Sequence, residues 1–296
     1  MKYWLIIFLL LICFISKINA QVFAKNEKLI LIDSNFTFTE GASCDKDGNV
    51  FFTDQPNNKI WQYDTSGKLS VFLYPSHRSN GMYFDAKGNL ISCADENDEL
   101  ISIAPNKKIT VLINNYHRHI LNGPNDVWIN PSTGGLYITD PYFQRDYWTR
   151  QHPDSTLKGE KVYYLLPGKK ELILVDSTTK KPNGIVGTVD AKYLYVADMG
   201  VWKTYRYEIR KDGLLKNKTL FINEASDGMT IDNKGNIYIT GKGVTVYDSS
   251  GNKIDHIDVP EEWTANLCFG GKNKNVLFIT ASKSLYKIET LVKGVE

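Results

Sequence analysis

One unit recurs along the chain and limits what it can fold into. Each copy opens on a polar residue, usually followed by glycine, then a short strand, a turn, and a second, strongly apolar strand. The copies read EGASCDKDGNVFFTD from Glu40, NGMYFDAKGNLISCAD from Asn80 and NDVWINPSTGGLYITD from Asn125. They continue as NGIVGTVDAKYLYVAD from Asn183, DGMTIDNKGNIYIT from Asp227 and NLCFGGKNKNVLFIT from Asn266. Successive starts are 40, 45, 58, 44 and 39 residues apart. That spacing suits a propeller blade of four strands. A β-sandwich would explain single hairpins but not six matching units.

Further strands follow within the units. KIWQYD, ELISIA, KVYYLL, TYRYEI and SLYKIE read as third strands, and LSVFLY, ITVLIN and ELILVD as fourth strands. They are short β-rich runs bounded by turn formers. DKDG, DAKG, DNKG and SSG mark tight hairpins. No long stretch shows the 3.6-residue apolar period of a helix. The last unit lacks a fourth strand, and KLILIDS from Lys28 is available to supply it. The expected fold is all-β: a six-bladed β-propeller of four-stranded blades, closed by strands from both chain ends. Closure would leave no long sheet edge exposed. Residues 21–296 are then one domain.

Residues 1–20, MKYWLIIFLLLICFISKINA, read as a secretory signal cleaved after Ala20. The alternative is an N-terminal membrane anchor, for which the apolar run is short. The expected location is secreted or periplasmic. Of 35 Lys plus Arg and 33 Asp plus Glu, cleavage would remove Lys2 and Lys17, leaving 33 of each sign. A balanced chain lacks the electrostatic footprint of a nucleic-acid binder, and no stable membrane partner is expected. Cys44, Cys93 and Cys268 remain, an odd number without the clustered spacing of a metal site. They read as buried small hydrophobes, with one disulfide possible after export.

In a propeller the first strand of each blade lines the central channel. Glu40, Asn80, Asn125, Asn183, Asp227 and Asn266 hold the same place in their units, so they should meet at the axis. Any one Asn-Gly or Asp-Gly is by itself a turn signal. In register, the set is a ring of two carboxylates and several amide oxygens, which hard cations favour. Glu40 and Asp227 would supply charge, and Asn125 and Asn183 neutral oxygens. Asn80 and Asn266 are read as contacts to substrate or ordered water. The long third interval holds DPYFQRDYWTRQHPDSTLKGE, an aromatic, charged segment read as an extended loop over one end of the ring. His77, His117, His119, Tyr142, Arg145, Trp148 and Trp202 could approach the channel mouth. No G-x-S-x-G element, P-loop or dinucleotide fingerprint is present.

These pieces resemble the SMP-30/gluconolactonase/luciferin-regenerating enzyme-like family. The resemblance rests on Glu40-Gly41 with FFTD, NGPND at 122–126 with LYITDP, KPNG at 181–184 with LYVAD, SDGM at 226–229, and TANLCFGG at 264–271 with LFITA. It covers essentially all of the chain after residue 20. It implies a six-bladed propeller with one divalent ion in the channel, held by Glu40, Asn125, Asn183 and Asp227. Calcium is the expected ion, with zinc, magnesium and manganese as alternatives. The resemblance also implies hydrolysis of a small sugar lactone or related ester. Asp227 is the expected general base, and Asn80, Asn122, Asn125, Tyr142 and Asn266 the expected substrate contacts. The substrate would be a small neutral or anionic sugar derivative. The alternatives are a noncatalytic carbohydrate- or protein-binding propeller and a sugar-oxidising enzyme. The chain departs from the animal gluconolactonase pattern R-x-N-D, since Gly123 stands where that Arg would be. This puts a particular aldonolactone preference in doubt.

Overall fold

A computed structural model describes residues 21–149 and 157–295. The expected signal segment, residues 1–20, lies outside the described residues, as does part of the long loop, residues 150–156.

The turns begin the explanation of the fold. In DKDGN, DAKGN, DNKGN and DSSGN the leading aspartate binds its own turn. Asp45 Oδ1 accepts from the amides of Asp47 and Asn49, both at 2.9 Å, and Asn49 Nδ2 donates to Asp45 Oδ2 at 2.8 Å. Asp85 with Asn89, Asp232 with Asn236, and Asp248 with Asn252 repeat this pattern. The side chain thereby satisfies amides that no ladder reaches, and reverses the chain within five residues.

Among the described residues, 26 strands lie between the turns. β1 is Ile30–Asp33. The first blade holds β2 (Thr39–Cys44), β3 (Val50–Asp54), β4 (Lys59–Tyr63) and β5 (Leu69–Leu73). The second holds β6 (Ser79–Phe84), β7 (Leu90–Ala94), β8 (Glu99–Ile103) and β9 (Ile109–Ile113). A small hairpin, β10 (Asn115–Tyr116) and β11 (His119–Ile120), leads to the third blade. That blade holds β12 (Val127–Ile129), β13 (Leu136–Asp140), β14 (Lys161–Leu165) and β15 (Leu172–Asp176). The fourth holds β16 (Pro182–Gly187), β17 (Tyr193–Asp198), β18 (Lys203–Ile209) and β19 (Leu215–Ile222). The fifth holds β20 (Met229–Ile231), β21 (Ile237–Gly241), β22 (Gly243–Tyr247) and β23 (Lys253–Ile257). The sixth holds β24 (Thr264–Gly270), β25 (Val276–Ala281) and β26 (Ser284–Glu289), and β1 completes it. The order β1-β26-β25-β24 is the expected closure: Ile30 faces Lys287 and Leu31 faces Tyr286 across the seam. Among the described residues the helical content is one short 3₁₀ turn, Gln55–Asn57.

The second strand of each blade is covered on both faces, so it reads as an unbroken apolar run. All five residues of β3, β7 and β13 are buried. The core therefore lies between blades, where neighbouring sheets interlock. Tyr137, Tyr164, Tyr195 and Trp128 pack between the third and fourth blades; Tyr238 and Phe269 meet edge-to-face at 5.2 Å between the fifth and sixth. Cys44, Cys93 and Cys268 are buried and outside any disulfide, as the hydrophobic reading expects.

The inner strands approach one another through the glycines that follow the polar ring residues. A β-carbon on Gly41 would lie 1.9 Å from the Asn80 carbonyl oxygen, and one on Gly184 would lie 2.6 Å from that of Asp227. Gly81 abuts Asn125 and Asp126, and Gly228 abuts Asn266, in the same way. Gly41 also holds φ at 54°, a left-handed conformation that glycine adopts without strain. In the four units that carry it, this glycine is what lets the next blade come close to the axis.

Candidate metal centre and active site

The channel mouth gathers the residues placed there by the repeat. Glu40 Oε2 accepts from the Gly41 amide at 2.6 Å and from Asn266 Nδ2 at 3.2 Å, linking the first and sixth blades. Asp227 Oδ1 accepts from Asn183 Nδ2 at 2.8 Å, linking the fourth and fifth. Asp227 Oδ2 accepts from the indole of Trp263 at 2.5 Å. Asn125 is buried; its amide donates to the Thr139 carbonyl, and its own carbonyl accepts from the Gly81 amide. Asn80 is buried beside Gly41.

Burial of two acids in one channel has an electrostatic cost. Loss of water, and then repulsion from Asp227, push the Glu40 carboxyl up to about 8. Asp227 is raised too, chiefly by burial, against the hydrogen bonds from Trp263 and Asn183. Just beneath the ring Asp126 is driven well above the carboxylate range, by burial first and then by Glu40 and Asp227. A cation between Glu40 and Asp227 would relieve this repulsion.

The neutral donors agree. The side-chain oxygens of Asn183 and Asn80 are buried without a hydrogen-bond partner. An unpaired amide oxygen is costly in the interior; a cation is the partner that the Asn183 oxygen beside Asp227 could take, while the Asn80 oxygen is left for a substrate hydroxyl or water. Asn266 differs, because its Oδ1 already accepts from the Leu267 amide at 2.8 Å. Among the described residues no three His, Cys, Asp or Glu side chains gather into a metal cluster. The set that fits a divalent ion here is two carboxylates completed by carboxamides.

The remaining expected residues divide. Asn122 is a brace: its amide and side chain bind Asp140, and Nδ2 also reaches the Gly159 carbonyl. Tyr142 sits in the long loop, with its hydroxyl on Gln144 and its ring 5.8 Å from that of Trp148. His77 Nδ1 lies 3.3 Å from Glu99 Oε1. His117 and His119 belong to the β10–β11 hairpin region, and Trp202 is half exposed on the turn between β17 and β18. Among the described residues, His77, His117 and Trp202 make no contact to the ring. Trp263 was not anticipated; its signal in the sequence is EEWTANL, an indole three residues ahead of the sixth ring position.

The family model of the SMP-30/gluconolactonase/LRE-like region matches residues 26–283. The chain belongs to this family. It is 27% identical to a gluconolactonase of Zymomonas mobilis over 297 aligned positions, covering 89% of this chain and 82% of that protein. Among solved structures, a gluconolactonase candidate from a structural genomics programme superposes with a TM-score of 0.85 at 29% identity, covering 93% of this chain and 96% of the other. A calcium-binding regucalcin of Agrobacterium tumefaciens shares the fold, with a TM-score of 0.73 at 20% identity over 89% of this chain and 94% of that one. The family assignment and the six-bladed fold agree with the reading of the repeat.

Proposed function

We propose that this protein hydrolyses small sugar lactones at the ring, with one divalent ion held by Glu40, Asp227, Asn183 and Asn125. The observation that carries the proposal is the pair Asn183 and Asp227. The amide nitrogen of Asn183 is fixed on Asp227, which aims its unpartnered buried oxygen into the same space. The gluconolactonase relative supports the lactone, and the calcium-binding neighbour supports the ion. A donor set of oxygens alone favours calcium, magnesium or manganese over zinc.

Such an ion supplies Lewis-acid polarisation of the lactone carbonyl. The chain's own residues do the rest. Asp227, held at both oxygens by Asn183 and Trp263, takes a proton from the attacking water. The water oxygen bonds to the carbonyl carbon, the ring C–O bond breaks, and the proton ends on the departing alkoxide, giving a hydroxy acid. Glu40 supplies charge to the ion, and the unpartnered Oδ1 of Asn80 accepts from a substrate hydroxyl.

The test is turnover of a lactone panel by calcium-loaded protein, beside Asp227→Asn and Glu40→Gln. Loss of general-base and ligand charge should lower kcat by about 10²- to 10⁴-fold. A folded, metal-loaded wild type that opens no lactone rejects the reading.

A further inference from the structure

Four aspartates stand at the end of a blade's second strand: Asp54, Asp140 and Asp198 are its last residue, and Asp95 directly follows β7. Three of them do the same work. Asp54 accepts from the amides of Thr37 and Phe38, Asp140 from Asn122 and Gly123, and Asp198 from Lys180 and Lys181. Each fastens the segment that leads into the inner strand of its own blade. In the second blade this task has moved to Asn58, whose Oδ1 accepts from the Arg78 amide at 2.8 Å.

Asp95 has turned to the long loop of the third blade instead. Its Oδ2 accepts from Arg145 Nε at 2.6 Å, Tyr147 OH at 3.2 Å and Gln55 Nε2 at 2.7 Å, and its carbonyl takes the Trp148 indole at 2.6 Å. Arg78 stacks on Tyr147 at 4.5 Å from behind. The Asp95 side chain is 2% exposed and that of Arg145 is 22% exposed. Trp148 fills the space over Gly123, where a β-carbon would come within 2.8 Å of the indole. Gly123 lies two residues before Asn125, so this knot is built against the ring.

Fastening alone does not require a guanidinium. Backbone amides suffice in the other three blades, and bringing an ion pair out of water costs free energy that simple stability rarely returns. What the knot achieves is a cation held rigidly beside the channel, with its charge felt at both Glu40 and Asp227.

We propose that Arg145 is a specificity-determining residue whose guanidinium contacts the hydroxyl and carboxylate oxygens of a polyhydroxylated substrate, and that Asp95 is its positioning residue. This rests on the lactonase reading and refines it: the preferred substrates are hydroxyl-rich lactones, and bare lactone rings are poor ones. A buried donor built for a substrate oxygen discriminates against analogues that lack that oxygen.

The experiment compares wild type, Arg145→Met, Arg145→Lys and Asp95→Asn, all calcium-loaded, on galactonolactone and on γ-butyrolactone. Arg145→Met should lower kcat/KM for galactonolactone by about 10- to 100-fold, chiefly through KM, and leave γ-butyrolactone within about threefold. Arg145→Lys keeps the charge without the planar fork and should fall between. Asp95→Asn should reproduce part of the loss with the same substrate selectivity. Equal losses on both lactones, or no loss, overturn the proposal. If Arg145→Met does not fold, Arg145→Lys carries the comparison. If wild type opens neither lactone, the lactonase reading fails, and calorimetric titration with galactonate decides the role of Arg145. Weaker binding by the variant supports it; equal binding, or no binding by wild type, overturns it.

Discussion

The clearest quantitative consequence of the ring concerns metal-free protein as pH rises. Glu40 ordinarily titrates near 4.5 and is pushed up to about 8 in the fold. Between those values the folded state binds a proton that the unfolded chain has released. Stability from this group is therefore complete below about pH 4.5 and declines as pH rises through 8. The shift corresponds to about 5 kcal/mol across that window. Asp227 and Asp126 are raised as well and add to the decline in the same direction. A divalent ion replaces the proton, so calcium should remove most of the loss. Near pH 7 the Glu40–Asp227 pair is therefore expected to hold a proton in the metal-free fold, and calcium uptake should release about one proton from the pair. Urea unfolding at fixed pH steps between 5 and 8, with chelator or with calcium, measures the first effect. Calorimetry in buffers of different ionisation enthalpy measures the second. Glu40→Gln should flatten much of the metal-free decline. A metal-free wild type whose stability is level across this range, or calcium binding without proton release at pH 7, would refute the electrostatic account of the ring.

Three further outcomes follow from packing. Gly184→Ala places a β-carbon 2.6 Å from the Asp227 carbonyl, so it should cost about 1–3 kcal/mol in chemical denaturation and weaken calcium binding. Phe269→Ala removes a ring with no exposed surface that meets Tyr238 edge-on, and should cost about 3–5 kcal/mol by the same assay. Deleting residues through Asp33 removes β1 and bares the edge of β26. Sedimentation should then show concentration-dependent association, with a lowered melting temperature.

The fold was readable because each repeat writes its own period and turn. A polar residue opening the inner strand and a doubly buried second strand recur in six units, and four of the six add a glycine after that polar residue, while D-x-x-G-N turns mark several of the hairpins. Part of the ring is legible for the same reason: residues that share a register hydrogen-bond across neighbouring blades, Asn183 with Asp227 and Asn266 with Glu40. Where repeats stop being equivalent, that logic ends. Asp95 is written like Asp54, Asp140 and Asp198, and nothing local marks it as the one that binds a loop from another blade. Its partner, Arg145, is in an insertion with no counterpart in the other units. Asn122 is expected among the substrate contacts through the family resemblance, not the register, and the structure shows its backbone amide and side chain bonded to Asp140. Side chains that depend on a single loop need the structure; side chains that depend on a repeat do not.

The seam between β1 and β26 ties Ile30 to Lys287, positions separated by 287 − 30 = 257 residues. A ribosome therefore delivers the outer, fourth strand of the last blade long before its partner exists. Until β26 emerges, Ile30 and Leu31 have no neighbour across the sheet. Bringing such distant segments together is entropically costly and slow. Circularisation is thus the closing event of assembly, and a nascent or truncated chain carries a strand ready to pair with the wrong molecule.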